Sequence, residues 1–268
     1  MWNLLDKKIK KRFLLGTSQY PSPEIIKKSI EDSGVEIVTV SLRRIGGQQE
    51  GRGFWDMLKA LPLHFLPNTA GCHSVKEAVT TAQMAREIFQ TNWIKLEIIG
   101  DDYNLQPDPF ALLEGARILL EEGFEVFPYM TDDLVLAEKL VSVGCKILMP
   151  WASPIGSGQG ILNPFALKTL RKRFPDVQLI VDAGIGRPSQ AAQAMEMGYD
   201  GVLLNSAVSQ ALDPIGMACS FSKAVEAGRL GFESGLMEVR DFAKPSTPVV
   251  GTPFWHEVKN EKTSMFTP

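Results

Sequence analysis

Apolar and polar stretches alternate along this chain in a two-beat rhythm. Short apolar, mostly β-branched runs at 13–15, 36–40, 65–68, 94–99, 125–129, 146–150, 179–182 and 201–205 read as strands. Stretches with apolar positions three and four apart read as helices at 22–33, 74–89, 109–121, 132–143, 164–174, 188–197 and 214–227, with a fainter one near 54–61. Start signals support several of them: Ser74 and Asp132 as caps, Pro188 and Pro214 in first turns. Eight strands, each followed by a helical stretch at intervals of roughly 20 to 32 residues, predict a (β/α)8 barrel. A doubly wound open sheet is the alternative, disfavoured because no GxGxxG follows the first strand. The barrel is expected to occupy 1–235 as a single catalytic domain. Residues 236–268, rich in Pro and Thr with Phe254 and Trp255, form a partly irregular C-terminal extension.

One strand breaks the apolar pattern. In Trp93-Ile94-Lys95-Leu96-Glu97-Ile98-Ile99, side chains alternate, so Lys95 and Glu97 share one face while Ile94, Leu96 and Ile98 share the other. With the aliphatic face under helices, the lysine and glutamate point into the barrel. Burial strips hydration from the amine, so its pKa is expected to fall, making it a nucleophile able to condense with a ketone. A buried Lys–Glu ion pair that only fixes register is the other reading.

The carboxyl ends of barrel strands carry the site, and polar residues gather there: Ser18, Arg43, Arg44, Asn68, Lys95, Glu97, Tyr129, Trp151, Asp182, Asn205 and Ser206. Asp182 follows Leu179-Ile180-Val181 and is an acid/base candidate, a loop cap or a partner for a base. Arg43 and Arg44 bind an anion or snorkel at the rim. Two glycine-rich segments, 154–160 and 182–188, follow the sixth and seventh strands, and Asn205-Ser206-Ala207 follows the eighth before a helical turn. Glycines let backbone N–H groups approach a ligand, and the loops after the last two strands of such barrels commonly hold phosphate. Tight turns without a ligand are the plainer alternative. Cys145 precedes an apolar strand and reads as core rather than nucleophile.

Composition narrows the classes. A net charge of -3 gives no electrostatic basis for binding nucleic acid. The cluster Lys7, Lys8, Lys10, Lys11 and Arg12 reads as a solvated face. The three cysteines are far apart without CxxC, and His64, His73 and His256 make no ligand spacing with them, so neither disulfides nor a metal is expected. No long uncharged apolar run suggests a membrane span, and residues 1–15 lack a signal-peptide core, which together point to a soluble cytoplasmic protein.

Four segments, Asn92-Trp93-Ile94-Lys95-Leu96-Glu97, Pro154-Ile155-Gly156-Ser157-Gly158-Gln159-Gly160, Val181-Asp182-Ala183-Gly184-Ile185-Gly186 and Leu204-Asn205-Ser206-Ala207, closely resemble bacterial thiazole synthase. The likeness runs from the first strand to Gly235 and takes in 66–71 and 224–228. The resemblance implies a (β/α)8 barrel that forms the thiazole phosphate of thiamine. Its inputs would be 1-deoxy-D-xylulose 5-phosphate, dehydroglycine and sulfur from the C-terminal thiocarboxylate of a small ubiquitin-like carrier protein. On this resemblance Lys95 is the Schiff-base lysine and Glu97 and Asp182 are the acid/base carboxylates. Gly156, Ala183, Gly184, Asn205 and Ser206 would hold the sugar phosphate. No metal or organic cofactor is required, and a homotetramer or homodimer is implied, with the carrier docking near the barrel mouth. The chain departs from the pattern at Trp151-Ala152-Ser153, which replaces smaller residues and could narrow the mouth, and at Ser206, where threonine is common. Another Schiff-base sugar-phosphate barrel, of aldolase or pyridoxal-phosphate-synthase type, and a catalytically silent sugar-phosphate-binding barrel are the alternatives.

Overall fold

The apolar runs pair edge to edge in chain order until the last meets the first. A computed structural model describes residues 1–42 and 49–244, with side chains for all of these except 49–52. A hairpin of β1 (Trp2–Leu4) and β2 (Lys7–Ile9) precedes the barrel. Its eight strands are β3 (Phe13–Gly16), β4 (Ile37–Ser41), β5 (His64–Asn68), β6 (Trp93–Leu96), β9 (Glu125–Met130), β10 (Ile147–Pro150), β11 (Gln178–Asp182) and β12 (Gly201–Leu204). They are parallel and close into a barrel through the β12–β3 pairing, so the (β/α)8 expectation is met. A second hairpin, β7 (Ile99–Asp101) with β8 (Gln106–Pro107), interrupts the path from β6 to its helix.

The helices are α1 (Pro23–Ser33), α2 (Gln49–Lys59), α3 (Val75–Phe89), α4 (Pro109–Glu121), α5 (Leu134–Ser142), α6 (Pro164–Arg173), α7 (Pro188–Glu196), α8 (Ser206–Ser209) and α9 (Pro214–Ser234). Their starts obey side-chain capping: Ser22, Ser74, Asp108, Asp133, Asn163 and Asp213 each accept from a first-turn N–H. The cap of α5 is Asp133, not the expected Asp132, whose carboxylate instead accepts from the Trp151 indole N–H at 3.3 Å. The last helix also runs seven residues past the expected 227, to Ser234.

Two apolar layers hold the barrel. Ile94, Leu96 and Ile98 belong to the outer layer between sheet and helices, as alternation requires. The inner layer fills the barrel with Leu14, Ile37, Leu66, Trp93, Phe127, Ile147, Met149, Ile180 and Leu203, joined by Trp2, Leu4 and Ile9 from the first hairpin. The N-terminal segment, expected to be only a solvated basic face, therefore packs its apolar positions against the barrel interior. Lys8 and Lys10 point outward while Leu4 and Ile9 are fully buried. Arg12 lies over the Trp2 ring at 5.3 Å and donates to Asp200 O at 2.8 Å.

The chain divides into two units, Met1–Gly235 and Leu236–Pro268. Among the described residues no helix is long and apolar enough to cross a membrane.

Candidate active site

The strand that carries Lys95 pairs with β5 at Asn68 and with β9 at Phe127, which fixes the lysine inside the barrel. Its side chain is almost fully buried. Lys95 Nζ lies 2.5 Å from Asp182 Oδ2 and 3.1 Å from Glu97 Oε1, and 5.4 Å from the centroid of the Tyr129 ring. Asp182 and Glu97 are equally buried, at 3% and 5% exposure. One cation thus faces two anions away from solvent.

That arithmetic corrects the expected direction of the lysine pKa. Burial pulls it down, but the attraction of Asp182 and of Glu97, with their hydrogen bonds, outweighs the burial, so the ammonium is held above its ordinary range. Desolvation alone predicted a free amine; the second carboxylate, brought from β11 by barrel closure, reverses the sign. Asp182 bears the counterpart strain. Burial raises its pKa, Lys95 lowers it, Glu97 raises it again, and the carboxyl settles at about 6. Asp182 is therefore both the nearest acceptor for the lysine proton and the one whose affinity for a proton is tuned toward neutrality.

The opposite wall is made of backbone. Ala183 and Gly184, directly after Asp182, both take positive φ values of 72° and 79°. A non-glycine residue in that region is uncommon and points to a built turn. The hydroxyl of Ser153 bonds Gly184 O at 3.2 Å and the Ser157 hydroxyl at 3.0 Å, while Gly160 N–H donates to Gly184 O at 2.8 Å, so the two glycine-rich loops brace each other. Gln190 Oε1 accepts from the N–H groups of Gly186 and Arg187 at 2.9 and 3.0 Å. Asn205 Nδ2 donates to the Ser18 hydroxyl at 2.7 Å, and Gly16 is pressed so close that a Cβ there would lie 2.5 Å from Asn205 Cβ. Asn205 makes no side-chain cap for α8, whose first residue is Ser206. Among the described residues, Asn205 Oδ1 is buried without a hydrogen-bond partner.

A cavity of about 520 Å³ joins these parts, and Lys95, Glu97, Asp182, Gly156, Ala183, Gly184, Asn205 and Ser206 all contribute to its wall. Ser18 and Asn68 also line it. Trp151, expected to narrow the mouth, does not line the cavity; its indole N–H donates to Asp132. Arg43 and Arg44 lie outside the described residues. Cys145 is buried in the outer layer with its thiol pushed up to about 12 by burial, as a core residue should be. Among the described residues no group of His, Cys, Asp and Glu is arranged to hold a metal ion. Ser153, Gly16 and Gln190 carry no sequence signal for the site, because their work is to pack and brace loops distant in the chain.

Gly184 gives a test of the backbone wall. A Cβ there would meet Ser153 Oγ and lie 2.5 Å from Ser153 N, at a φ that side chains avoid. Gly184→Ala is expected to lower stability by about 2–4 kcal/mol and to raise KM for a phosphorylated substrate more than it lowers kcat. Thermal melting and steady-state kinetics check both.

The family of the thiazole biosynthesis protein ThiG matches residues 3–248. A protein of Coxiella burnetii (strain RSA 331 / Henzerling II) named thiazole synthase is 60% identical over 254 residues, covering 95% of this chain and 98% of that protein. A thiazole synthase of Nitrobacter hamburgensis is 60% identical over 259 residues, covering 96% of this chain and all of that protein. Among solved structures, the Amycolatopsis orientalis BexX/CysO complex superposes with a TM-score of 0.79 at 30% identity, covering 89% of this chain and 97% of that one. With the whole barrel and its cavity inside the matched span, the chain belongs to the family of the thiazole biosynthesis protein ThiG, the thiazole synthases.

Proposed function

We propose that this cavity condenses 1-deoxy-D-xylulose 5-phosphate, dehydroglycine and sulfur from the thiocarboxylate of a small ubiquitin-like carrier protein into thiazole phosphate, through an imine on Lys95. The observation that carries the reading is the Lys95 amine between two carboxylates, in one cavity with the braced glycine loops.

The geometry suggests an order of events. The sugar phosphate sits against Gly156, Ala183, Gly184 and Ser206, with a sugar hydroxyl donating to the unpartnered Asn205 Oδ1. Asp182 takes the proton of the Lys95 ammonium, and the freed amine adds to the substrate ketone with loss of water. The iminium acidifies the neighbouring carbon, and the flanking carboxylates of Glu97 and Asp182 shuttle protons to move the carbonyl along the chain. The carrier's thiocarboxylate sulfur adds to the new carbonyl, the carrier's acyl–sulfur bond breaks, and the displaced oxygen leaves with the carrier as its carboxylate. Dehydroglycine then condenses with the sulfur-bearing sugar, and its nitrogen displaces the Lys95 amine as the ring closes.

A protein partner at the mouth is supported by two facts. BexX, the similar protein, was solved in complex with CysO. Phe110, Val135 and Phe165, each more than half exposed, stand at the starts of α4, α5 and α6, on the face where barrel strands end. The working unit is proposed to be a homodimer or homotetramer. Reconstitution tests the function: thiazole phosphate, followed by mass, should form only when the carrier is thiocarboxylated and both small substrates are present. Turnover of the sugar phosphate that ignores the carrier would favour an aldolase-type barrel instead.

A further inference from the structure

Glu97 stands one residue beyond the ladder that should hold it. The register of β6 ends with Asn68↔Lys95 on one side and Leu96↔Pro128 on the other. On the β5 side the chain is about to turn, with Gly71 at φ 78°. Thr69 fills the gap. Its backbone N–H donates to Lys95 O at 3.1 Å. Its hydroxyl donates to Glu97 O and accepts from Glu97 N–H, both at 2.8 Å. One side chain thus takes over both rungs that a neighbouring strand would supply. Thr69 is fully buried and does not line the cavity, so its hydroxyl reaches the site through the Glu97 main chain.

We propose that Thr69 is a positioning residue: its hydroxyl clamps the Glu97 main chain so that the Glu97 carboxylate stays against the Lys95 amine. The clamp spans both reacting side chains, since the same residue grips the carbonyl of Lys95 and both backbone groups of Glu97. Without it the Glu97 N–H and C=O lose the partner that holds them on the β5 side, before the next rung at Ile99 N–H and Cys72 O, and the carboxylate drifts from its 3.1 Å contact. Displacements of that order cost catalysis far more than they cost binding. The inference rests on the reading of Lys95 and Glu97 as imine-forming and proton-transferring groups.

Thr69→Val keeps the shape and removes the hydroxyl. It should lower kcat by ~10–100-fold while KM for the sugar phosphate stays within ~3-fold, because the phosphate wall is untouched. Thr69→Ser, which keeps the hydroxyl, should rescue most of the lost rate. In a Glu97→Gln background, Thr69→Val should cost less than ~3-fold more, since a residue that acts only through the carboxylate has nothing left to position. Equal losses in both backgrounds, a loss confined to KM, or a serine variant as slow as the valine variant would each overturn the proposal. If Thr69→Val does not melt cooperatively, Thr69→Ala, which leaves room for a water at the Glu97 amide, goes through the same cycle. Borohydride trapping of the unmutated protein separates the two levels: no lysine adduct overturns the imine reading, whereas an adduct with an additive cycle overturns the role of Thr69 alone.

Discussion

Lys95→Ala incubated with 1-deoxy-D-xylulose 5-phosphate and borohydride gains no mass, whereas the unmutated protein gains one reduced adduct, and turnover falls by at least ~10³-fold. Among the described residues that line the cavity, Lys95 is the one primary amine. Intact-mass measurement reads the first effect and product formation the second. The same substitution has a pH-dependent structural cost. It leaves Glu97 and Asp182 facing each other without the cation that now lies 3.1 and 2.5 Å away. Removing one partner of a buried charged group costs about 3–5 kcal/mol. Asp182, already raised and now without the lysine that lowers it, then holds a proton more tightly folded than unfolded. Its contribution is intact at low pH and is lost as pH rises through the raised folded pKa, so the variant's deficit should be large at pH 8 and shrink toward pH 5. A folded variant at pH 8 with a full adduct would sink both the chemical and the electrostatic argument.

Asp182→Asn is expected to lower kcat by ~10²–10⁴-fold, the range for loss of a general base. The unmutated enzyme should lose activity on the acid side with an apparent pKa of about 6, where Asp182 takes a proton and can no longer relieve Lys95 of one. That limb should be missing from whatever rate the variant keeps. Stability runs the other way. The folded pKa of Asp182 lies above its ordinary 3.8, so its stabilising contribution is present below that value and lost as pH rises through about 6. At pH 8 the ionised aspartate is a cost to the fold, and Asp182→Asn should melt above the parent, with the gap closing by pH 5. Lower activity with higher melting is the signature of a site held in strain for its chemistry. A pH–rate profile beside melting curves at the two pH values decides it. A variant that melts below its parent at pH 8 would show that Asp182 serves the fold first.

The sequence made much of this legible for local reasons. Strand–helix alternation and capping residues are written in neighbouring positions, so the barrel could be read before any contact was known. Lys95 stood out because a charge in an apolar strand violates a period-two pattern, and the glycine loops because their residues allow backbone that others refuse. The first hairpin was hidden: β1 and β2 have three residues each, too few for periodicity to show, and their lysines masked the apolar positions that enter the barrel. The break after Leu96 was hidden as well, since the residues at 97–99 are as strand-like as those before them; only the turn of the neighbouring chain at Gly71 ends the pairing.

The sequence by itself determined the fold class and the shared strand face of Lys95 and Glu97, because both depend on patterns within a few positions. Only the tertiary structure decided the charge of Lys95 and the proton affinity of Asp182. Those depend on distances between β6 and β11, which are set by barrel closure and not by any local pattern. Burial alone predicted a neutral amine, and the 2.5 Å contact with a carboxylate 87 positions further along the chain (182 − 95) made it an ammonium.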